Sequence, residues 1–91
     1  MLKYPALIEP DTSGFLVTFR DIPSANSSGF TLDEAQFRAA DALETVMDFY
    51  FEDNRKIPLP SEAQEGEYLI DLHEDVSSKV LIFNASLLAN S

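Results

Sequence analysis

Cysteine is absent from the sequence, so no disulfide, thiolate nucleophile or cysteine-ligated zinc site enters the account. The fold must be held by packing. No apolar run approaches the roughly 20 residues that span a bilayer, and the opening MLKYPALIEPD turns polar too early for a secretory signal. A cytoplasmic protein without a membrane partner is expected. Basic residues are scarce: 6 Lys and Arg stand against 16 Asp and Glu, a formal net charge of −10. Such a surface repels phosphate, which disfavours direct nucleic-acid binding and favours a basic protein partner.

Hydrophobic residues fill 45% of the 91 positions and aromatics 11%. That is enough for a packed core and too much for an acidic disordered tail. The length allows one domain with a short appendage. Folding at this size buries only about 60 to 65% of the unfolded surface, so burial between chains would add stability and a homo-oligomer is expected.

Along the chain, Leu2, Tyr4, Ala6 and Ile8 alternate with more polar neighbours as in a half-buried strand. Pro5 lacks a ladder donor, which places this strand at an edge or a bulge. Residues 10–14, PDTSG, make a hairpin-length turn into a second strand carrying Phe15, Val17 and Phe19. A short third strand is expected within Ser24 to Gly29. Thr31 signs a helix start, with Glu34 placed to complete a capping box and Phe30 to staple against Ala35. The helix runs to about Asp53. Leu32, Ala35, Ala39, Ala42, Leu43, Val46, Met47, Phe49 and Tyr50 fall in one stripe at 100° per residue, a face for a sheet. Pro58 and Pro60 forbid continuation, so an exposed loop follows from about Arg55 to Glu65. Tyr68, Ile70 and Leu72 alternate in a last strand, which can insert parallel to a neighbour through a right-handed crossover. Asp75 is placed to cap a final helix with Val76, Val80, Phe83 and Leu87 at helical spacing. The class is α+β: a three- to four-stranded, mostly antiparallel sheet packed on one main helix, in the order ββ(β)αβ plus a C-terminal helix.

The run YPALIEPDTSGFLVTFRDIP, followed by TLDEAQFRAADALE and then IPLPS, resembles the HicB antitoxin family over about residues 2 to 75. DFYFEDN and SKVLIFNASLLA look like the branch of that family that continues into a helix-turn-helix DNA-binding domain. The resemblance implies a partial RNase H-like fold, a basic HicA-like toxin partner that cleaves mRNA, and autoregulation of the operon. It divides the chain into residues 1–75, a toxin-neutralising domain, and residues 76–91, the helical start of a C-terminal region cut short before the DNA-binding domain. Operator DNA would then be a partner of an intact family member and not of this stretch. The alternatives are a degenerate RNase H-like metal-dependent nuclease and a truncated transcriptional autorepressor.

Catalytic, metal and cofactor sites are not expected. His73 is the single histidine and stands on a strand face with Asp71 and Leu69, without the partners that acid–base or metal chemistry needs. A two-metal site would draw on Asp21, Glu44, Asp71 and Asp75, but Glu44 lies outside the buried helix stripe. A partner-binding site is expected on the outer helix face, where Phe37, Asp41, Glu44, Asp48 and Phe51 cluster. Asp41 with Glu44, and Glu44 with Asp48, are like-charge pairs at contact spacing, each costing a few tenths of a kcal/mol that folding does not explain. Self-association is expected through the apolar tail helix, at Val80, Phe83 and Leu87. Because the six basic residues are dispersed, we expect no sequence-specific gel shift of operator DNA by residues 1–91 alone. A specific shift at physiological salt would overturn this reading of the charge.

Overall fold

In the computed structural model, residues 1–89 are described, so the last two positions of the 76–91 segment lie outside the described residues. The chain runs β1 (Lys3–Asp11), β2 (Gly14–Thr18), β3 (Ser27–Gly29), α1 (Leu32–Glu52), β4 (Tyr68–Asp71) and α2 (Glu74–Ala89). The strands form one sheet in the order β3-β2-β1-β4, antiparallel at every pairing. The α+β class and element order match the expectation; the parallel insertion of the last strand does not. The reason lies in the segment after α1, which is tied down at Ile57, Ser61 and Glu67 on its way back to the sheet. It delivers Tyr68 opposite Ala6, and β4 then runs back toward Lys3.

β1 is an interior strand, not the edge strand that Pro5 pointed to. Its two halves are paired on opposite sides: Lys3–Ala6 with β4, and Leu7–Asp11 with β2. The Leu72 N–H donates to the Leu2 carbonyl at 2.8 Å, so even-numbered residues of β1 turn their backbone groups toward β4. The Pro5 nitrogen therefore faces the other side, where β2 has already ended at Thr18, and no ladder bond is lost.

Period-two alternation sends Tyr4, Ala6, Val17, Phe19 and Ile70 to one side of the sheet, where α1 covers them. The uncovered side carries Leu7, Leu16 and Leu69, each roughly half exposed. α1 meets the sheet through Ala35, Ala39, Leu43, Val46 and Met47. Phe49, placed in the stripe by sequence, is 59% exposed because the buried face centres on Leu43 and Met47 and leaves it beyond the rim. At the N-terminal end the approach is close: a Cβ on Gly29 would lie 2.5 Å from the Ala35 nitrogen. Only glycine fits there.

The ends of α1 are closed by backbone chemistry. Thr31 Oγ1 accepts the Glu34 N–H at 3.1 Å, but Glu34 does not return the bond; its carboxylate pairs with Arg38 one turn on, at 3.0 Å. Phe30 stays 72% exposed instead of stapling. At the other end Asn54 adopts φ 54°, and the Asn54 and Arg55 N–H groups donate to the Phe51 and Tyr50 carbonyls. This is a complete Schellman motif with asparagine in the left-handed position. The Arg55 guanidinium lies 4.9 Å from the Tyr50 ring centroid and supplies the contact that usually accompanies it.

α2 starts one residue before the expected Asp75 cap. His73 is the capping residue: its carbonyl accepts the Ser77 N–H at 2.8 Å, and its Nδ1 accepts the Asp75 N–H at 3.2 Å. The helix is fixed to the domain by two buried polar side chains. The Ser77 hydroxyl accepts the Leu2 N–H and donates to the Leu72 carbonyl, both at 2.9 Å, completing the last rung between β1 and β4. Asn84 accepts the Ile57 N–H and donates to the Ile57 carbonyl, both at 2.9 Å. Val80, between them, is fully buried in the common core, so the core continues past residue 75.

Asn84→Ala strands both Ile57 backbone groups, and we expect a loss of roughly 2 to 3 kcal/mol in denaturant unfolding. A loss below about 0.5 kcal/mol would mean that water replaces the amide freely. A second expectation concerns alkaline pH. The buried Tyr4 hydroxyl donates to the Pro58 carbonyl at 2.7 Å, and its pKa is raised from 10.0 to about 12 by burial first, then by the Asp21 charge and Tyr50. An unfolded tyrosine ionises first, so the folded state holds the proton longer. Its contribution is complete below pH 10 and declines as pH rises to about 12. Tyr4→Phe should flatten that part of the stability profile; an unchanged slope would assign it to other groups.

Candidate functional site

Because one side of α1 is taken by the sheet, the side opposite Leu43 and Met47 faces solvent along its length. Phe37 lies there at 70% exposure, with Asp41 and Asp48 exposed and Glu44 partly so. Among the described residues no ion pair involves Asp41, Glu44 or Asp48. The nearest cation in sequence, Arg38, is occupied by Glu34. The result is a bare aromatic ring in an unneutralised acidic field, on a rigid helix. An exposed aromatic anchor costs little entropy to hold in place, and uncompensated charges act at a distance on a partner of opposite sign.

Phe51 does not join this group. It stands 14 positions after Phe37, about 21 Å along the axis, and meets Phe83 of α2 edge-on at a centroid distance of 5.0 Å. The Lys79 ammonium lies 4.4 Å from its ring centroid. Phe51 therefore joins α1 to α2. Of the expected self-association residues, Val80 is buried in the core and Phe83 packs against it, while Leu87 is half-buried. The large apolar side chains that α2 exposes are Leu81, Ile82 and Leu88. Phe30, missed by sequence because it was assigned to a staple, borders a shallow groove with Glu34, Arg38 and the β2–β3 hairpin. Nothing in the local pattern separates a stapling from an exposed aromatic at that position.

Several of the other titratable groups are tied into structure. Arg20 forms a two-pronged pair with Glu67, with N–O distances of 2.9 and 3.0 Å, and also donates to the Glu62 carbonyl and to Ser61. Asp21 accepts the Ser61 N–H at 2.9 Å and its hydroxyl. This cluster fastens the 55–67 segment to the end of β2. The hydrogen bond to Arg20, helped by the Gln64 N–H, lowers the Glu67 pKa, and the same bond raises that of Arg20. Asp71 pairs with Lys3 across β1 and β4 at 3.5 Å. Asp75 stands beside His73 at the start of α2. Asp21, Glu44, Asp71 and Asp75 thus lie on four different elements, and among the described residues no three acids or histidines converge on one point. No helix there is long and apolar enough to cross a membrane.

These features define a class: a small, strongly acidic, two-layer α+β module with an aromatic and acidic helix face left open. The chain belongs to the HicB-like antitoxin family. The family model described as "HicB_like antitoxin of bacterial toxin-antitoxin system" matches residues 3–81. Antitoxin HicB of Escherichia coli K12 is 46% identical over 87 residues, covering 94% of this chain and 63% of that protein. Antitoxin HicB 1 of Photorhabdus laumondii is 47% identical, with coverage of 94% and 55%. A more distant relative, Antitoxin HicB of Pseudomonas fluorescens, is 30% identical over 88 residues, 96% of this chain and 60% of its own length. The chain thus spans less than two thirds of the curated relatives it matches.

Proposed function

We propose that this chain is the toxin-neutralising part of a type II toxin–antitoxin pair and that it binds and occludes a small basic, HicA-like, mRNA-cleaving toxin in the cytoplasm. The observation that carries the reading is Phe37, 70% exposed in a chain of net charge −10, next to three carboxylates without counter-ions. Family membership supplies the antitoxin role, and the open helix face supplies a means of meeting a cationic surface. The acids guide the encounter; the ring holds the complex. Occlusion requires no chemistry from the antitoxin, which agrees with acids that are each tied to a backbone, a hydroxyl or an opposite charge, or left facing solvent.

Two variants separate these roles in stopped-flow or surface kinetics with the purified toxin. Reversing Asp41 and Asp48 to lysine should slow association several-fold at low salt, with the difference shrinking as salt rises. Phe37→Ala should leave association nearly unchanged and speed dissociation, by about 1 to 2 kcal/mol if the ring fills a pocket. Neither change touches the buried face of α1, so thermal unfolding should hold. Unchanged kinetics for both variants at low salt would remove this face from the interface.

A further inference from the structure

The sheet ends on β3 at one side and on β4 at the other, and the two edges are finished differently. β3 is three residues long and leads straight to α1, so it offers little backbone to pair with. β1 is also open along Leu7–Asp11 on its β4 side, but Pro10 removes a donor there. β4 has no such protection. Its even-numbered residues Tyr68 and Ile70 turn their backbone groups toward β1, as Leu72 does toward Leu2, so the N–H and C=O groups of Leu69 and Asp71 point off the edge. Among the described residues none of these four groups meets a hydrogen-bond partner. The strand holds no proline, lysine or bulge, and the Leu69 side chain stands half exposed opposite the buried Pro5.

We propose that the free edge of β4 takes up an extended segment of a basic partner protein as a fifth strand, with an apolar side chain opposite Leu69 and lysine or arginine beyond each end. Charge selects this occupant. Between Lys56 and Lys79 the chain has six acids, Glu62, Glu65, Glu67, Asp71, Glu74 and Asp75, and no lysine or arginine. Glu65 and Glu67 stand just before β4, and Glu74 and Asp75 just after it. Glu67 is answered by Arg20 and Asp71 by Lys3, while Glu65 and Glu74 have no ion pair among the described residues. The edge is thus backbone and leucine in the middle and negative at both ends. A second copy of β4, laid antiparallel, would bring the acids before one strand against those after the other, and like charges facing across strands are unfavourable. A cationic segment meets attraction at both ends instead. Ladder bonds to Leu69 and Asp71 would hold it whatever its side chains, and the flanking charges and the Leu69 contact would choose among segments. From the reading above the proposal takes only that the partner is basic; the edge belongs to the sheet and not to the outer side of α1.

Amide hydrogen exchange of residues 1–91, followed by NMR with and without the purified basic toxin of the preceding section, tests it. The Leu69 and Asp71 amides should exchange readily in the chain alone and slow by about tenfold or more in the complex. Tyr68 and Ile70, already bonded to β1, should change little. Leu69→Pro removes one outward N–H and no bond to β1, just as Pro5 costs none on the paired strand, and should weaken binding by about tenfold. Leu69→Ala keeps the N–H and should cost less, and Phe37→Ala should leave the protection at Leu69 and Asp71 in place. Binding without slowed exchange at these two amides, or a folded Leu69→Pro variant that binds as tightly as the parent, would overturn the proposal and leave the Phe37 reading standing. A toxin that does not bind the chain at all would overturn both.

Discussion

One helix has to cover one side of a four-stranded sheet, and most of the structure follows from how α1 does so. The helix is thin where the sheet comes nearest and thick where it recedes. Ala35 and Ala39 lie over the β2–β3 end, where Gly29 lets backbone touch backbone; Leu43, Val46 and Met47 fill the wider gap toward β1 and β4. Enlarging either small end would lever the helix off the other. The same arrangement fixes what is left over. The opposite side of the sheet keeps Leu7, Leu16 and Leu69 half exposed, and the opposite side of α1 keeps Phe37 and its acids.

With α1 spent on the strands, the return segment and α2 need other means of attachment, and these are mostly polar. Ile57 enters the core as a side chain, and its backbone groups are met from α2 and not by a strand. Asn84 answers both of its hydrogen-bonding groups at once, a side-chain amide standing in for a peptide. Ser77 does the same for the frayed end of the β1–β4 ladder. An apolar residue at either position would strand buried backbone groups, each at a cost of about 1 to 3 kcal/mol. Two polar positions on the inner face of a mostly apolar helix are therefore structural, and they hold Val80 in register with the core.

Much of this was legible in the sequence because the decisive signals were local. Alternation in Leu2 to Ile8 and Phe15 to Phe19, the Thr31 cap and the alanine-rich stripe each act within a few residues. What was not legible depended on partners far along the chain. The direction of β4 is decided by where Ile57, Ser61 and Glu67 pin the return segment, and Arg20 and Asp21 do not announce that role. Pro5 was correctly recognised as lacking a donor, but a strand whose two halves pair on opposite sides looks locally the same as an edge strand. At the candidate site, helical periodicity put Phe37, Asp41, Glu44 and Asp48 on one outward face. It could not separate them from Phe51, because the separation is made by Phe83, more than thirty positions later.

The division of charge gives the two open helix faces opposite physical characters. On α1 the fold accepts like-charge contacts between Asp41, Glu44 and Asp48 that weaken the helix by a few tenths of a kcal/mol each. Their field extends about one Debye length, some 8 Å at physiological salt, and is spent on whatever cation comes within it. On α2 the carboxylates are confined to the first turn, at Glu74 and Asp75, and beyond them Leu81, Ile82 and Leu88 leave apolar area exposed. Added salt screens the field over α1 and leaves the exposed apolar area of α2 unchanged. The separation is built into the order of residues, since the last acid in the sequence, Asp75, stands in the first turn of α2, where negative charge favours the helix N-terminus.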